Sequence, residues 1–363
     1  MSLRATRLEL EGFRSYPSFA LDLDPDLTIL VGPNAIGKTN IIEALQLLTA
    51  AESFRKPQWN EIVGWEDEWA HLTLLAEGDG RSLRTELKVG VGGKREYQVN
   101  GKMRRRISDV AGILSCVLFT PDDLRLIKDS AERRRATLDS LGVQLSPSYR
   151  ALKAEYERLI RQRNAALREP GRDIAVITAL TSRVIKVGSS FMAARVRLFE
   201  RLRPRMSELY HTLSHGEKLD IRYVPSWASP EKVDGEEQIT SMLSEAYKRR
   251  GTEELMRGTT LVGPHKDDVV FAVDGRDARA YASQGQQRTV ALAWKLAEVA
   301  VVKDVSGQPP LLLLDDVMSE LDEERRQNLA TTVGETAQTF MTTTNLGYFS
   351  QQLVDRALVV NLS

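Results

Sequence analysis

Residues 5–10 and 19–23 alternate polar and apolar side chains on either side of a turn at 11–17, a period of two that predicts the strands of a hairpin. The unbroken run Leu27-Thr28-Ile29-Leu30-Val31 reads next as a buried strand, and residues 40–48 as a helix. Residues 70–76, 83–89 and 96–100 repeat the strand pattern between turns at Gly78-Asp79-Gly80, Gly92-Gly93 and Asn100-Gly101, so an antiparallel sheet is expected beside that helix. Val117-Leu118-Phe119 ends a further strand near Pro121, where Asp122 or Asp123 is placed to cap the next helix. The period then changes. From 147 to 205 glycine is scarce, Leu152, Tyr156, Leu159 and Arg163 fall at i, i+4, i+7 and i+11, and Glu169-Pro170-Gly171-Arg172 divides the stretch, which predicts a helical hairpin. Residues 225–238, rich in Pro, Ser, Asp and Glu, read as a loop, residues 289–302 as an uncommonly apolar helix, and Leu311-Leu312-Leu313-Leu314 as a second buried strand. The expectation is an α/β protein in three stretches: 1–120, rich in sheet; 121–255, a helical insertion; and 256–363, which completes the first core.

With 363 residues and 42% apolar content there is material for two or three domains with real cores. Lys and Arg total 50, as do Asp and Glu, so a polyanionic partner has to be argued from where the charge lies. Residues 147–205 carry 14 basic and 5 acidic side chains, and residues 94–106 carry Lys94, Arg95, Lys102, Arg104, Arg105 and Arg106 against Glu96. Both stretches suit contact with DNA phosphates and equally suit a solvated face, as do Arg55 and Lys56 after the first helix. Cys116 is the single cysteine, which excludes an intrachain disulfide. With no apolar leader at the N-terminus, a reducing, cytoplasmic location is expected. The apolar runs at 311–314 and 290–302 are shorter than the ~20 residues of a spanning helix, so no membrane segment is expected. His71, His211, His215 and His265 have no metal-ligand spacing.

The chemistry begins at Gly32-Pro33-Asn34-Ala35-Ile36-Gly37-Lys38-Thr39, which reads G-x-x-x-x-G-K-T between a strand and a helix. That order is a phosphate-binding loop: backbone N–H groups and the helix start at Asn40 wrap the α- and β-phosphates, Lys38 reaches the β- and γ-phosphates, and Thr39 holds Mg²⁺. The strand at 311–314 ends in Asp315-Asp316. Ligands bind at the C-terminal edge of such strands, so Asp315 is expected to position Mg²⁺ and Asp316 to orient or activate the attacking water. Arg14 and Tyr16 lie near the nucleotide entrance, with Arg14 either on a phosphate or base or standing solvated. Ser283, Gly285 and Gln286 precede the apolar helix and offer a hydroxyl, backbone donors and a positive helix end to an anion. Lys38 and its loop already fill that role within one chain, so the nucleotide of a second subunit is the economical target.

Ser283-Gln284-Gly285-Gln286-Gln287 resembles the signature motif of ABC-type ATPases, and Ser319-Glu320-Leu321-Asp322 resembles their D-loop. Together with the basic hairpin, Phe13-Arg14-Ser15-Tyr16 and Gly263-Pro264-His265-Lys266-Asp267-Asp268, the chain resembles, as far as about residue 346, the bacterial RecF family, recombination mediators related to the heads of SMC proteins. The resemblance implies a P-loop ABC-type ATPase head with a sheet-rich first lobe and a helical second lobe. It also implies two subunits sandwiching two ATPs, each bound by Lys38 and Thr39 of one chain and Ser283, Gly285 and Gln286 of the other. The closed dimer would clamp duplex DNA near single-strand gaps and help load a recombinase with RecR and RecO. Three departures from the ABC pattern stand out. Asp316 replaces the usual Glu, so slow hydrolysis is expected; Thr342-Thr343-Thr344-Asn345 replaces the switch histidine, leaving Thr343 or Thr344 to sense the γ-phosphate; and no glutamine follows Phe119, where Asp122 or Asp123 would substitute. Two rival readings remain, a nucleotide-gated protein-interaction switch that never grips DNA and a P-loop kinase for a small molecule, against which the paired signature and D-loop motifs weigh.

Overall fold

A computed structural model describes residues 3–24, 26–104, 110, 112–227, 235–332 and 337–363. The chain divides into two compact units, one formed by Met1–Arg125 with Ala291–Ser363 and the other by Leu126–Val290.

The first unit opens with the expected hairpin, β1 (Arg4–Phe13) and β2 (Tyr16–Asp22), whose turn is only Arg14 and Ser15. β3 (Leu27–Val31) leads into α1 (Lys38–Thr49), followed by β4 (Trp69–Gly78), β5 (Arg81–Gly90), β6 (Arg95–Val99), β7 (Lys102–Arg104) and β8 (Cys116–Phe119). Among the described residues an antiparallel sheet runs in the order β2-β1-β4-β5-β6-β7. α1 is the centre of the core. Ile41, Ile42, Leu45 and Leu48 are buried in one cluster with Leu8, Leu72 and Leu87 of that sheet and with Leu30, Leu313 and Phe340 of the parallel sheet described below. A helix enclosed in this way buries polar residues too, and each finds a partner: Glu43 accepts from Arg14, Gln46 Oε1 accepts from Phe54 N, and Thr49 Oγ1 donates to Leu45 O.

The second unit contains α2 (Ala131–Leu145), α3 (Pro147–Arg168), α4 (Ile174–Leu213), β9 (Leu219–Val224), α5 (Glu236–Arg257), β10 (Asp268–Val273), β11 (Arg276–Asp277) and α6 (Ala278–Tyr281). The helical hairpin is α3 and α4, capped at Ser146 and Asp173, and Tyr156, Leu159 and Arg163 are buried as their spacing predicts. Three boundaries differ from expectation. α4 runs through Pro204 to Leu213, α5 starts at Glu236 inside the stretch read as loop, and the unit extends past residue 255 to Val290 because β10 pairs with β9. α4 also holds an 18-residue window of mean hydropathy 1.3, as apolar as a membrane span, which the short apolar runs did not foretell. That window is 28% buried: Val184 and Phe191 lie in the core of the unit, Ile174 and Val176 are exposed, and Arg195 further along α4 is ion-paired to Asp139.

The Gly263-to-Asp268 segment ties this unit together. Arg195 donates to both carboxylate oxygens of Asp139 at 2.9 Å and to the Pro264 carbonyl at 2.6 Å. Asp267, fully buried, accepts from Tyr223 Oη at 2.5 Å and Ser226 N at 2.7 Å, and Arg134 holds Asp268 through two 2.8 Å bonds. Burial lowers the His265 pKa to about 4, so the ring is neutral where it meets Tyr156 Oη at 2.8 Å. Buried polar groups this fully partnered specify one arrangement of the helices around them.

α7 (Gln284–Ser306) begins five residues before the expected start and precedes β12 (Leu311–Asp315), α8 (Glu323–Thr332), β13 (Thr339–Thr343), α9 (Gln351–Asp355) and β14 (Leu358–Asn361). The parallel sheet has the order β14-β3-β13-β12-β8. β13 therefore separates the two strands that carry the candidate chemistry, and the C-terminal ends of β3, β13 and β12 share one edge.

Candidate functional site

The loop after β3 has the geometry its sequence calls for. Gly37 takes φ 109°, and a Cβ there would lie 2.7 Å from Tyr16 Oη and 3.0 Å from Ser15 Oγ, so the hairpin turn itself demands glycine. At Gly32 a Cβ would meet the Leu362 carbonyl at 2.7 Å. α1 starts with no side-chain cap and no acid in its first turn, which leaves its backbone donors for an anion. Lys38 is buried, and its Nζ donates to the carbonyls of Gly32 at 2.7 Å and Pro33 at 2.8 Å, so the ammonium sits across the loop formed by Pro33, Asn34, Ala35 and Ile36.

β12 brings the carboxylates to this loop. Thr39 Oγ1 donates to Asp315 Oδ1 at 3.0 Å, Thr342 Oγ1 donates to the same oxygen at 2.8 Å, and Asp316 N donates to Thr342 Oγ1 at 2.8 Å. Burial raises the Asp315 pKa, and the hydroxyls of Thr342 and Thr39 act against that rise. Asp316 is held at φ 51°, a conformation Asp tolerates better than most residues, and its Oδ1 is buried with no hydrogen-bond partner among the described residues. A buried carboxylate oxygen left open beside a hydroxyl–carboxylate pair fits a site completed by Mg²⁺ and phosphate, since Mg²⁺ is usually held by one or two carboxylates together with substrate oxygens.

Other candidates are occupied differently. Arg14 donates to both oxygens of the fully buried Glu43, at 3.1 and 2.8 Å, and to Glu61 O, so its guanidinium is engaged by protein acceptors rather than standing free in solvent. Arg55 donates to Glu43 at 3.2 Å and to Asn40 Oδ1 at 2.7 Å, which links it to the first turn of α1. Thr343 is buried and exchanges bonds with Asn345, donating to its carbonyl at 3.0 Å and accepting from its N at 3.1 Å, whereas Thr344 is exposed. Thr342, not singled out from the sequence, is the threonine that meets the carboxylates; only its alternation against Thr343 along β13 could have marked it. Asp123 caps Thr120 through its N and Oγ1, at 2.8 and 3.1 Å, and lies 3.6 Å from Lys295, so it is anchored as a cap.

In the second unit Ser283 and Gln286 cap α7 reciprocally: Gln286 N donates to Ser283 Oγ at 3.2 Å and Ser283 N to Gln286 Oε1 at 2.9 Å. Gln286 Nε2 also donates to Glu217 at 2.9 Å, and Gly285 lies inside the first helical turn. Of the basic run, Lys94 pairs with Glu96 at 2.8 Å, Arg95 stacks 4.2 Å from the Trp59 ring centroid, Lys102 is exposed and Arg104 is half-buried on β7. Arg105 and Arg106 lie outside the described residues.

Thr342→Val keeps the shape of the side chain but removes the hydroxyl shared by Asp315 and Asp316. It is expected to destabilise the first unit by about 1–3 kcal/mol, the usual cost of leaving buried groups unpaired, and to reduce ATP turnover more than ATP affinity. Urea unfolding with single-turnover kinetics checks both, and an unchanged turnover rate would count against a positioning role for Thr342.

The family model for the RecF/RecN/SMC N-terminal domain matches residues 4–361. The DNA replication and repair protein RecF of Limosilactobacillus fermentum is 36% identical over 98% of this chain and 96% of its own length. The solved structure of the recombination mediator protein RecF with ATPrS, in the RecFOR pathway, superposes with a TM-score of 0.89 at 30% identity, covering 96% of this chain and 94% of that one. The corresponding RecF–ATP structure gives 0.88 with the same identity and coverage.

Proposed function

From the premise that this chain belongs to the RecF branch of the RecF/RecN/SMC family, we propose that it is a cytoplasmic, ATP-dependent recombination mediator whose ATP-bound homodimer closes on duplex DNA near single-strand gaps. The observation that carries the reading is the run of bonds from Thr39 through Asp315 and Thr342 to Asp316 beside the phosphate loop. When bound, ATP would supply the scissile γ-phosphate and Mg²⁺ the positive charge that offsets the phosphates and Asp315. Lys38 would exchange its loop carbonyls for phosphate oxygens, Thr39 and Asp315 would hold the metal, and Asp316 would accept a proton from the attacking water as its oxygen bonds to the γ-phosphorus and the bond to the ADP oxygen breaks, giving ADP and phosphate. Asp316 is one methylene shorter than glutamate, which makes the step slow, and DNA contact would speed it. Thr343 and Thr344 follow on the same strand end, where the exposed Thr344 hydroxyl suits contact with the γ-phosphate better than the enclosed Thr343.

Closure requires contacts that exist only with ATP present. Ser283, Gly285 and Gln286 of one chain would meet the γ-phosphate held by the partner, so ATP joins the subunits and hydrolysis separates them. The exposed cations, Lys102 and those of the α3–α4 hairpin, suit backbone-directed binding to DNA that weakens with salt. RecR and RecO are the partners with which the dimer would load a recombinase. A second reading, a nucleotide-gated switch that recruits proteins without gripping DNA, is favoured by one observation: Lys94 and Arg95 are engaged by Glu96 and Trp59. Charge reversal at Lys94, Lys102 and Arg104 with unchanged duplex affinity would select it.

Light scattering with no nucleotide, ADP and ATP tests the central step. The native chain is expected to double in mass only with ATP, Ser283→Arg to stay monomeric, and Asp316→Asn to stay dimeric long after ATP is added. A mass that ignores nucleotide would remove the sandwich.

A further inference from the structure

Residues 64–69 of the first unit, Gly64-Trp65-Glu66-Asp67-Glu68-Trp69, hold the Trp65 side chain entirely in water on a backbone that is tied down. Gly64 N donates to Gly12 O at 2.8 Å, Asp67 N to Gly64 O at 3.1 Å, and Val91 N to Glu68 O at 3.1 Å. A Cβ at Gly64 would come within 2.4 Å of Asp67 Oδ2, so Asp67 is turned toward the loop while Glu66 and Glu68 are exposed beside Trp65. Trp69 and Val91, 39% and 56% exposed, belong to the same edge, because Trp69 pairs with Gly90. Tryptophan buries 150–250 Å² when covered and is among the commonest anchors of protein interfaces. A rigid loop that leaves such a side chain uncovered presents it to a partner.

We propose that Trp65, flanked by Glu66 and Glu68, anchors a docking site for a protein partner whose surface sets lysines or arginines around an apolar pocket. Charge decides the class of partner. Two outward carboxylates repel a phosphate backbone and attract basic side chains, and an indole face accepts a guanidinium. Lys94 is offset by Glu96, and although Lys88 over the Trp69 ring at 4.6 Å and Arg95 over Trp59 keep their charge, the three carboxylates of the loop, Glu66, Asp67 and Glu68, exceed these two by one. The loop borders the β1–β2 turn, where a Gly64 Cβ would lie 3.4 Å from Arg14 O, and among the described residues no hydrogen bond joins residues 64–69 to the phosphate loop or to Asp315 and Asp316.

The inference rests on the reading that this chain assembles with RecR and RecO, and those two purified proteins are the probes. Each is titrated by biolayer interferometry against the native chain, Trp65→Ala, and the double variant Glu66→Lys/Glu68→Lys, at two salt concentrations. Duplex affinity and ATP-dependent mass are measured on the same samples. The expected result is that one probe binds the native chain, loses at least about tenfold in affinity with either variant, and binds more weakly at high salt, while DNA affinity and mass stay native. Unchanged probe affinity in both variants overturns the proposal. A loss of duplex affinity in Trp65→Ala assigns the loop to DNA, and a change in ATP-dependent mass assigns it to a second copy; either outcome also overturns it. If neither probe binds the native chain, the assembly reading fails first and the docking site with it.

Discussion

Lys38→Met is expected to weaken ATP binding by at least about 100-fold while the fold survives. Two charge-assisted hydrogen bonds leave with the ammonium, and at about 1.5 kcal/mol or more each they amount to roughly 3 kcal/mol, which corresponds to that factor. The geometry makes Lys38 hard to replace. Its Nζ spans the loop to Gly32 O and Pro33 O, so it both closes the loop and stands where the β- and γ-phosphates would enter. Methionine matches the length and fills the space among the loop atoms, which is why the urea midpoint should move little. Loss of nucleotide should carry with it the ATP-dependent mass change and the stable association with duplex DNA. Isothermal titration with ATP reads the first effect and DNA affinity in saturating ATP the second. A native dissociation constant would contradict the role given to Lys38, and native DNA affinity despite lost ATP binding would uncouple nucleotide from DNA.

Arg195→Met is expected to destabilise the second unit by about 3–5 kcal/mol, the usual consequence of removing one member of a buried ion pair. Burial works against the charge on Arg195, but the Asp139 carboxylate opposes it and the guanidinium stays protonated. Removing it leaves Asp139 buried with Tyr149 Oη, at 2.6 Å, as its one side-chain donor among the described residues and leaves the Pro264 carbonyl without its arginine. The double variant Arg195→Met/Asp139→Leu should recover much of the loss, because two apolar side chains need no partner. Hydrogen exchange of the α4 amides in increasing urea separates this unit from the first. A shift below about 1 kcal/mol in the single variant would mean that the pair is dispensable.

Much of this site was legible in the chain itself. The phosphate loop depends on local requirements that a sequence must state outright: glycine where φ is positive or a neighbour is too close for Cβ, lysine for charge, threonine for a hydroxyl at the first helical turn. Asp315 was legible for a similar reason, since a run of four leucines ending in a carboxylate has few uses other than a buried strand with a polar mouth. Arg14 was not. Its role depends on Glu43, 29 residues away and completely enclosed, and a buried glutamate on a helix looks no different in sequence from an exposed one. Thr342 and Thr343 are equally small, β-branched and hydroxylated; which of them meets Asp315 is a matter of strand register.

The sequence by itself determined the local chemistry and the types of element, because turn conformations, strand and helix periods, and motif spacing are short-range constraints written in consecutive residues. Tertiary structure alone decided which polar groups became partners, that residues 256–290 pair into the helical unit, and that Trp65 remains in water. Those outcomes depend on β10 finding β9, on Glu43 being enclosed beneath two arginines, and on Gly12 and Val91 pinning a distant loop. Contacts between residues far apart in sequence are selected by the packing of the whole fold and leave no periodic trace along the chain.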